Sequence, residues 1–352
     1  TKVQKTEISA FYTEKMRSSV ILLGVLLGRV GRVSMGYPGG CVIGKRPVDL
    51  HLYALRKFGA KVEECTEKLE AVCEKLHGTE IFFAGKSVGA TEQAVLTAVS
   101  ASGKKRIYNC AKEPEIIWLC RFLKKMGASI QGEGTEEILI EGGKIIQGAD
   151  MQVPPDRIVA GTYLCAAAAT RGRIEIQNPP QGELTAFLEV YRKMGGQYEW
   201  NSGKLVADGS RVRFPVSMTE TAAYPGFPTD LQSLLMAVLA TIPGKSCILE
   251  SVFEDRFKIT GELNRMGAEI RTLRSTDEGV AFVVHYAGKT IYHAGDLNWW
   301  HWEGEPDEKN TEMRRAYQAE INRLMDEKID IAFVPVDPRL GEQYCWGIDC
   351  FM

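Results

Sequence analysis

Four times along the chain the same short signature closes a helix and opens a strand: Lys57-Phe58-Gly59-Ala60, Lys125-Met126-Gly127-Ala128, Lys193-Met194-Gly195-Gly196 and Arg265-Met266-Gly267-Ala268. The marks stand 68, 68 and 72 residues apart, a period longer than that of the usual solenoid repeats. The chain therefore holds about four copies of one supersecondary unit. In each, a helix (residues 91–102, 162–170) leads through Gly-Lys or Gly-Arg into a strand (106–109, 173–176). A second helix follows (114–126, 184–194), then paired strands such as 138–141. The first copy begins with an apolar run at helical spacing over 18–29, a strand at 32–35, a helix from Val48 through His51, Leu52 and Leu55 to Phe58, and a strand from Lys61. Helices repeatedly covering strands predict an α/β, barrel-like fold with helices buried inside or against sheets. Copies one and two make one domain and copies three and four begin another, with Val153-Pro154-Pro155 as the crossing.

Between the first strand and its helix lies Ser34-Met35-Gly36-Tyr37-Pro38-Gly39-Gly40-Cys41-Val42-Ile43-Gly44-Lys45-Arg46-Pro47-Val48-Asp49-Leu50. Its glycines permit positive φ and close approach to a ligand, and its prolines stiffen the path. Pro47 suits the first position of a helix, so the N–H groups of Val48, Asp49 and Leu50 are candidate donors to an anionic or polar ligand. Two readings of Cys41 fit these residues. Beside Lys45 and Arg46 its thiolate is favoured, as a nucleophile or proton donor requires; a free cysteine is also commonly a small buried hydrophobe. Gly39 to Lys45 matches G-x-x-x-x-G-K, but Arg46 stands where a magnesium-binding Ser or Thr is needed and Pro47 interrupts the helix, which argues against a nucleotide triphosphatase.

A net charge of -2 argues against a nucleic-acid partner, and nine cysteines without a C-x-x-C pair suit a reducing compartment rather than a disulfide framework. The longest apolar run, Val20 to Leu27, is too short to span a bilayer, and no signal peptide is visible, so a cytoplasmic protein without membrane contact is expected. Thr1 is not an initiator methionine and residues 1–15 are polar without a strand-rich start, which leads us to expect that residues precede Thr1.

Several motifs in one order carry a family resemblance: Pro38-Gly39-Gly40-Cys41, Gly44 to Leu50, Ser87-Val88-Gly89-Ala90-Thr91, Glu113-Pro114-Glu115, Pro155-Asp156-Arg157-Ile158, Pro228-Thr229-Asp230-Leu231-Gln232 and Phe253-Glu254-Asp255-Arg256-Phe257. From about residue 12 to about 272 the chain resembles the UDP-N-acetylglucosamine 1-carboxyvinyltransferases. The resemblance implies an inside-out α/β barrel of repeated βαβαββ-like units, with a first domain over 1–153 and a partial second over 154–274. It implies transfer of enolpyruvyl from phosphoenolpyruvate to the 3'-hydroxyl of UDP-N-acetylglucosamine, the committed step of peptidoglycan synthesis, with no cofactor. By the same resemblance Cys41 protonates or covalently holds the phosphoenolpyruvate carbon on a loop that closes like a lid. Asp230 takes the hydroxyl proton. Arg17 and Arg46, with Arg256 in support, face the phosphoenolpyruvate oxygens. Arg46, Pro47, Val48, Asp49 and Leu50 match the uridine strip, Ser87, Val88 and Gly89 the diphosphate strip, and Val252 a sugar contact. Taken singly, Asp230 also reads as a helix N-cap, Arg256 as the ion-pair partner of Glu254 or Asp255, and Arg17 as a solvated charge. Three departures stand out: no Lys-Asn pair precedes Arg17; Gly85 occupies a position where relatives place lysine, with Lys86 one residue later; and the rest of the second domain that the resemblance leads one to expect after Ile270, with its late arginine for phosphoenolpyruvate, is not found.

After Arg274 the pattern changes. A hairpin over 280–293, the string Ala294-Gly295-Asp296-Leu297-Asn298-Trp299-Trp300-His301-Trp302, a helix near 307–328 and a strand over 329–335 resemble the second half of a metallo-β-lactamase-fold hydrolase, giving an expected third segment over 275–352. There Asp296, His285, His293 and His301 are the metal-ligating residue types, yet the first-half ligands of that fold are missing from the sequence and no metal site is expected. Three functions follow for test: enolpyruvyl transfer, UDP-sugar binding without turnover, and metal-dependent hydrolysis by the tail.

Overall fold

A computed structural model describes residues 3, 5–40, 43, 46–142, 147–268, 270, 282–286, 289–294, 297–301, 306–325, 328–329, 331–334 and 346. In chain order its elements are β1 (Glu7–Ile8), α1 (Ala10–Thr13), α2 (Leu22–Val30), β2 (Arg32–Gly36), α3 (Asp49–Lys57), β3 (Lys61–Glu64), β4 (Lys68–Val72), β5 (Glu80–Phe82), α4 (Val88–Ser100), β6 (Gly103–Tyr108), α5 (Pro114–Lys125), β7 (Ser129–Gln131) and β8 (Glu137–Gly142). There follow α6 (Arg157–Thr170), β9 (Arg173–Gln177), α7 (Thr185–Lys193), β10 (Gln197–Asn201), β11 (Lys204–Asp208), β12 (Thr219–Glu220), α8 (Gln232–Leu239), β13 (Ile248–Leu249) and α9 (Thr260–Arg265). The last elements are β14 (Phe282–Tyr286), β15 (Lys289–His293), α10 (Asp307–Asn322) and β16 (Ile331–Phe333). The chain divides into two compact units, Thr1–Pro155 with Ala223–Pro225, and Asp156–Ala222 with Gly226–Met352.

The repeat marks have one physical basis. Gly59, Gly127, Gly195 and Gly267 adopt φ of +96°, +103°, +100° and +97°, the left-handed region that favours glycine. At each mark the glycine N–H reaches back to the carbonyl three residues earlier, as Gly59 does to Arg56. The next N–H reaches the carbonyl five earlier, as Ala60 does to Leu55. This double bond pattern ends a helix and turns the chain into the following strand.

Sheet topology repeats with the marks. In the first unit the sheets run β1-β2-β4-β3 and β5-β6-β8-β7, each with its first pair parallel and the other two antiparallel. In the second unit the third copy forms β10-β11-β9 and the fourth the parallel pair β12-β13. Helices fill the interior: α4 packs against α2, α3 and α5 as well as β6 and β8. Accordingly α4 buries Ala90, Thr91, Gln93, Ala94, Val95, Thr97, Ala98 and Val99 around most of its circumference. The first core joins Leu23, Leu55, Phe58, Ile81 and Ile140; the second joins Leu164, Phe187, Tyr191, Leu205 and Leu235.

Four boundaries differ from the sequence expectation. Residues 1–15 do supply a strand, β1, whose edge position needs main-chain pairing (Glu7 with Ser34, Ile8 with Met35) and no apolar side chains. The run expected as one helix over 18–29 opens as a 3-10 turn, Arg17–Ile21, before α2. The helix expected from 91 starts at Val88, because the Ser87 hydroxyl accepts the Ala90 N–H at 3.3 Å. The one expected from 162 starts at Arg157, because Asp156 Oδ1 accepts the N–H groups of Ile158 and Val159 at 2.7 and 3.2 Å.

In the tail, β14 pairs antiparallel with β15, and β15 pairs parallel with β16 across α10. Tyr292, Leu297, Tyr317, Ile321 and Leu324 form its small core. The turn residues Ala287 and Gly288 of the expected hairpin lie outside the described residues. Among the described residues no helix is long and apolar enough to cross a membrane.

Candidate active site

In the first unit Arg17 is no solvated helix-end charge. Its Nη2 donates to the Pro47 carbonyl at 2.7 Å and its Nη1 to the Pro38 carbonyl at 3.4 Å, so one guanidinium clasps both shoulders of the glycine-rich loop. The loop entrance is fixed as well: the N–H groups of Gly39 and Gly40 donate to Thr13 and Glu14 carbonyls at 2.9 and 3.1 Å. A Cβ on Gly39 would stand 1.9 Å from the Glu14 carbonyl oxygen, which excludes any other residue there without a backbone shift. Burial, and after it the neighbouring Arg46 guanidinium, lower the Arg17 pKa, so the two cations are close enough to repel each other. Cys41, Val42, Gly44 and Lys45 lie outside the described residues.

The helix after the loop starts later than Pro47 predicts. It begins at Asp49 with Val48 as N-cap, because the Pro47 carbonyl is engaged by Arg17, and no side chain caps it. The first-turn N–H groups are thus without a side-chain acceptor, which suits binding of a polar or anionic group. Ser87, Val88 and Gly89 form the start of α4. Between these two helix starts lies a residue that the motifs did not single out, His51. It is buried, its Nδ1 lies 2.5 Å from Gln93 Oε1, its ring lies beside Gly89, and burial lowers its pKa from 6.5 to about 4. The imidazole is therefore neutral at pH 7.

In the second unit the structure brings together two predicted residues that are distant in sequence. Asp230 sits in the 3-10 turn Thr229–Leu231 that feeds α8, and its Oδ1 accepts a hydrogen bond from Arg256 Nη2. Neither Glu254 nor Asp255 is the recorded partner of Arg256, and Asp230 makes no side-chain N-cap bond. The guanidinium also lies over the Phe253 ring, 5.5 Å from its centroid. Val252 is 40% exposed, and its N–H donates to Glu250 Oε1 at 2.9 Å. Glu250, which no motif signalled, also accepts the Phe253 N–H at 3.1 Å and the Thr229 hydroxyl at 2.9 Å. Arg17, Arg46 to Leu50 and Ser87 to Gly89 belong to the first unit, and Asp230, Val252 and Arg256 to the second.

Four of the other cysteines, Cys110, Cys120, Cys165 and Cys247, suit the bland reading. Burial pushes the Cys110, Cys120 and Cys165 thiols up to about 12 and Cys247 to about 11, which removes them as nucleophiles near neutral pH. In the tail, Asp296 lies outside the described residues, and His301 packs edge-on against Trp346 at 5.4 Å. Among the described residues no group of three or more His, Cys, Asp or Glu side chains is placed to hold a metal ion.

The family model for EPSP synthase (3-phosphoshikimate 1-carboxyvinyltransferase) matches residues 2–296. It runs past Arg274, where the sequence reading placed a joint, and the comparisons lend no support to a metallo-β-lactamase tail. The chain is 45% identical over 267 residues to UDP-N-acetylglucosamine 1-carboxyvinyltransferase 1 of Symbiobacterium thermophilum, covering 76% of this chain and 60% of that protein. It is 42% identical over 292 residues to UDP-N-acetylglucosamine 1-carboxyvinyltransferase 1 of Caldanaerobacter subterraneus subsp. tengcongensis, covering 82% of this chain and 70% of that one. The chain spans about three fifths of the length of the first of these relatives. Among solved structures it resembles the enolpyruvyl transferase NikO from Streptomyces tendae, with a TM-score of 0.67 at 20% identity over 78% of this chain and 65% of that one. It also resembles EPSP synthase from Acinetobacter baumannii, with a TM-score of 0.53 at 19% identity over 88% and 71% of the two chains. Those two likenesses speak to the fold, and with the repeated sheets, the match over residues 2–296 and the relatives above 40% identity, the chain belongs to the EPSP synthase (enolpyruvyl transferase) family.

Proposed function

We propose that the chain carries enolpyruvyl transfer from phosphoenolpyruvate to the 3'-hydroxyl of UDP-N-acetylglucosamine, a step of peptidoglycan precursor synthesis. The observation that carries the reading is 45% identity over 267 residues to a relative of that name. Residues 1–153 are read as the first enolpyruvyl-transferase domain and 154–274 as part of the second. Asp230 takes the 3'-hydroxyl proton, and the oxygen adds to the central carbon of phosphoenolpyruvate while its methylene carbon gains a proton from Cys41. The Cys41 thiolate then takes a methyl proton back as the carbon–oxygen bond to phosphate breaks and the double bond re-forms, and the proton held by Asp230 passes to the departing phosphate, so atoms and charge balance. Arg17 and Arg46 hold the carboxylate and phosphate oxygens, and Arg256 orients Asp230 through their ion pair. Pro47 to Leu50 and Ser87 to Gly89 supply main-chain groups at two helix starts for the nucleotide.

Phosphate release from phosphoenolpyruvate, measured with and without UDP-N-acetylglucosamine in wild type and Cys41→Ala, tests the reading. Release that depends on the nucleotide sugar and is lost in the variant is expected. Release equal in Cys41→Ala refutes the role of the thiol, and none in wild type refutes turnover by this chain.

A further inference from the structure

We propose that Glu250 is a positioning residue that sets the spacing between Asp230 and Val252, and so determines how the N-acetylglucosamine end of the nucleotide sugar is held. The inference rests on the reading of Asp230 and Val252 given above. Glu250 is 5% exposed and follows β13, whose partner β12 runs into Thr221. Thr221 in turn holds Ser251: its hydroxyl accepts the Ser251 N–H at 3.0 Å and its carbonyl accepts the Ser251 hydroxyl. The Glu250 side chain is thereby anchored on a sheet edge and directed inward.

Its two oxygens divide their work. Oε2 accepts the hydroxyl of Thr229, the residue before Asp230, at 2.9 Å; Oε1 accepts the N–H groups of Val252 and Phe253 at 2.9 and 3.1 Å. On the other side Arg256 donates to Asp230, so the two turns are joined twice, once through Glu250 and once through that ion pair. A buried carboxyl group is costly unless its oxygens are bonded, and here the three recorded donors come from the two segments that carry the candidate residues. One consequence is chemical. Because the Val252 N–H is engaged by Glu250, what the main chain at Val252 offers a sugar is its carbonyl oxygen, an acceptor for a hydroxyl or an acetamido N–H. Glu250 itself touches no substrate in this reading; it acts through Thr229, Val252 and Phe253.

Calorimetric titration of the full chain with UDP-N-acetylglucosamine and, separately, with UDP tests this, for wild type, Glu250→Ala, Glu250→Gln and Thr229→Val, with a thermal melt of each. UDP lacks the sugar, so it reports on the nucleotide strips alone. Glu250→Ala is expected to weaken UDP-N-acetylglucosamine about tenfold or more while leaving UDP within about twofold, since small displacements of positioning groups are costly. Glu250→Gln regains most of the loss, because an amide oxygen accepts both N–H groups and its NH2 donates to the Thr229 oxygen. Thr229→Val falls between, at about threefold to fivefold for one lost hydrogen bond. Equal weakening of both ligands in Glu250→Ala, as general destabilisation would give, overturns the proposal, as does a Gln variant no better than Ala. If Glu250→Ala does not fold, Thr229→Val carries the test, and an unchanged ratio of the two affinities refutes it. Wild type that binds the nucleotide sugar no tighter than UDP refutes the underlying reading of Asp230 and Val252, and the inference with it.

Discussion

Acidification below pH 6.5 should cost the first unit stability through one buried group, His51. Its imidazole is neutral in the fold, with its pKa lowered from 6.5 to about 4 chiefly by burial, while the hydrogen bond to Gln93 works in the opposite direction. A group that binds its proton less readily folded than unfolded withdraws stability as pH falls from the unfolded value towards the folded one. At ~1.4 kcal/mol per tenfold, lowering pH from 7 to 4 should remove about 3 kcal/mol. That corresponds to roughly 6–12 °C of Tm for a domain of about 150 residues. Glu92 acts in the opposite sense. Burial and its neighbours Glu115 and Glu113 raise its pKa to about 7, so it favours the fold as pH falls from 7 towards 4.5. The difference between wild type and His51→Asn isolates the imidazole, because Glu92 titrates in both. Urea unfolding followed by hydrogen exchange in α3 and α4 at pH 7, 5.5 and 4 gives the comparison. Parallel pH profiles for the two proteins would refute the argument, and so would a wild type that gains relative to the variant on acidification.

Further perturbations separate the forces that hold the rest. Gly127→Ala meets no atom within 4 Å and bears only the left-handed backbone, for about 1–2 kcal/mol. Gly195→Ala adds a Cβ 2.3 Å from the Arg211 carbonyl oxygen and should cost clearly more in urea titration of its own unit; equal losses would count against the packing argument. Asp156→Ala, which removes a cap bonded to two N–H groups, should cost about 1 kcal/mol and more than Ser87→Ala, whose cap makes one bond of 3.3 Å; thermal melts with the order reversed would contradict this. If the proposed enolpyruvyl transfer holds, Arg256→Met should lower its kcat/KM about 100-fold by leaving Asp230 without the arginine that pairs with it, and Arg256→Lys should recover little because a point charge lacks the planar fork. Wild-type turnover in Arg256→Met would refute the orienting role.

The repeat was legible because its mark depends on a local requirement. A left-handed residue must follow the last helical turn, glycine meets it, and so the same letters recur at residues 59, 127, 195 and 267. Strand β1 was not legible, since a two-residue edge strand is held by main-chain bonds that leave no trace in side-chain pattern. The same distinction separates the site residues. Arg17, Arg46, Asp230 and Arg256 could be named from motifs in register, but the clasp of Arg17 on Pro38 and Pro47 spans 21 and 30 residues. The pairing of Arg256 with Asp230 spans 26 and the bracing by Glu250 spans 21. No local periodicity encodes a contact at such distances.

The repeat also explains where the candidate residues fall. Pro47 to Leu50 lead into α3, Ser87 to Gly89 into α4, Asp230 into α8, and Arg256 opens the 3-10 turn before α9. Each is at a helix start, where main-chain N–H groups lack partners within the helix and point along its axis. The helix ends carry the glycine marks instead, and there carbonyls of the last helical turn accept from N–H groups of the turn itself. Some of these starts carry side-chain caps, Ser87 on α4 and Asp156 on α6, so the openings differ from copy to copy. What distinguishes one opening from another is the few side chains placed there: two converging guanidinium groups in the first unit, and a carboxylate held by an arginine and braced by Glu250 in the second. In this chain these candidate residues therefore stand at helix starts, apart from the glycine marks at the helix ends. Changes at a candidate residue that caps no helix, such as Asp230, should alter substrate handling more than stability, whereas changes at the glycine marks should do the reverse.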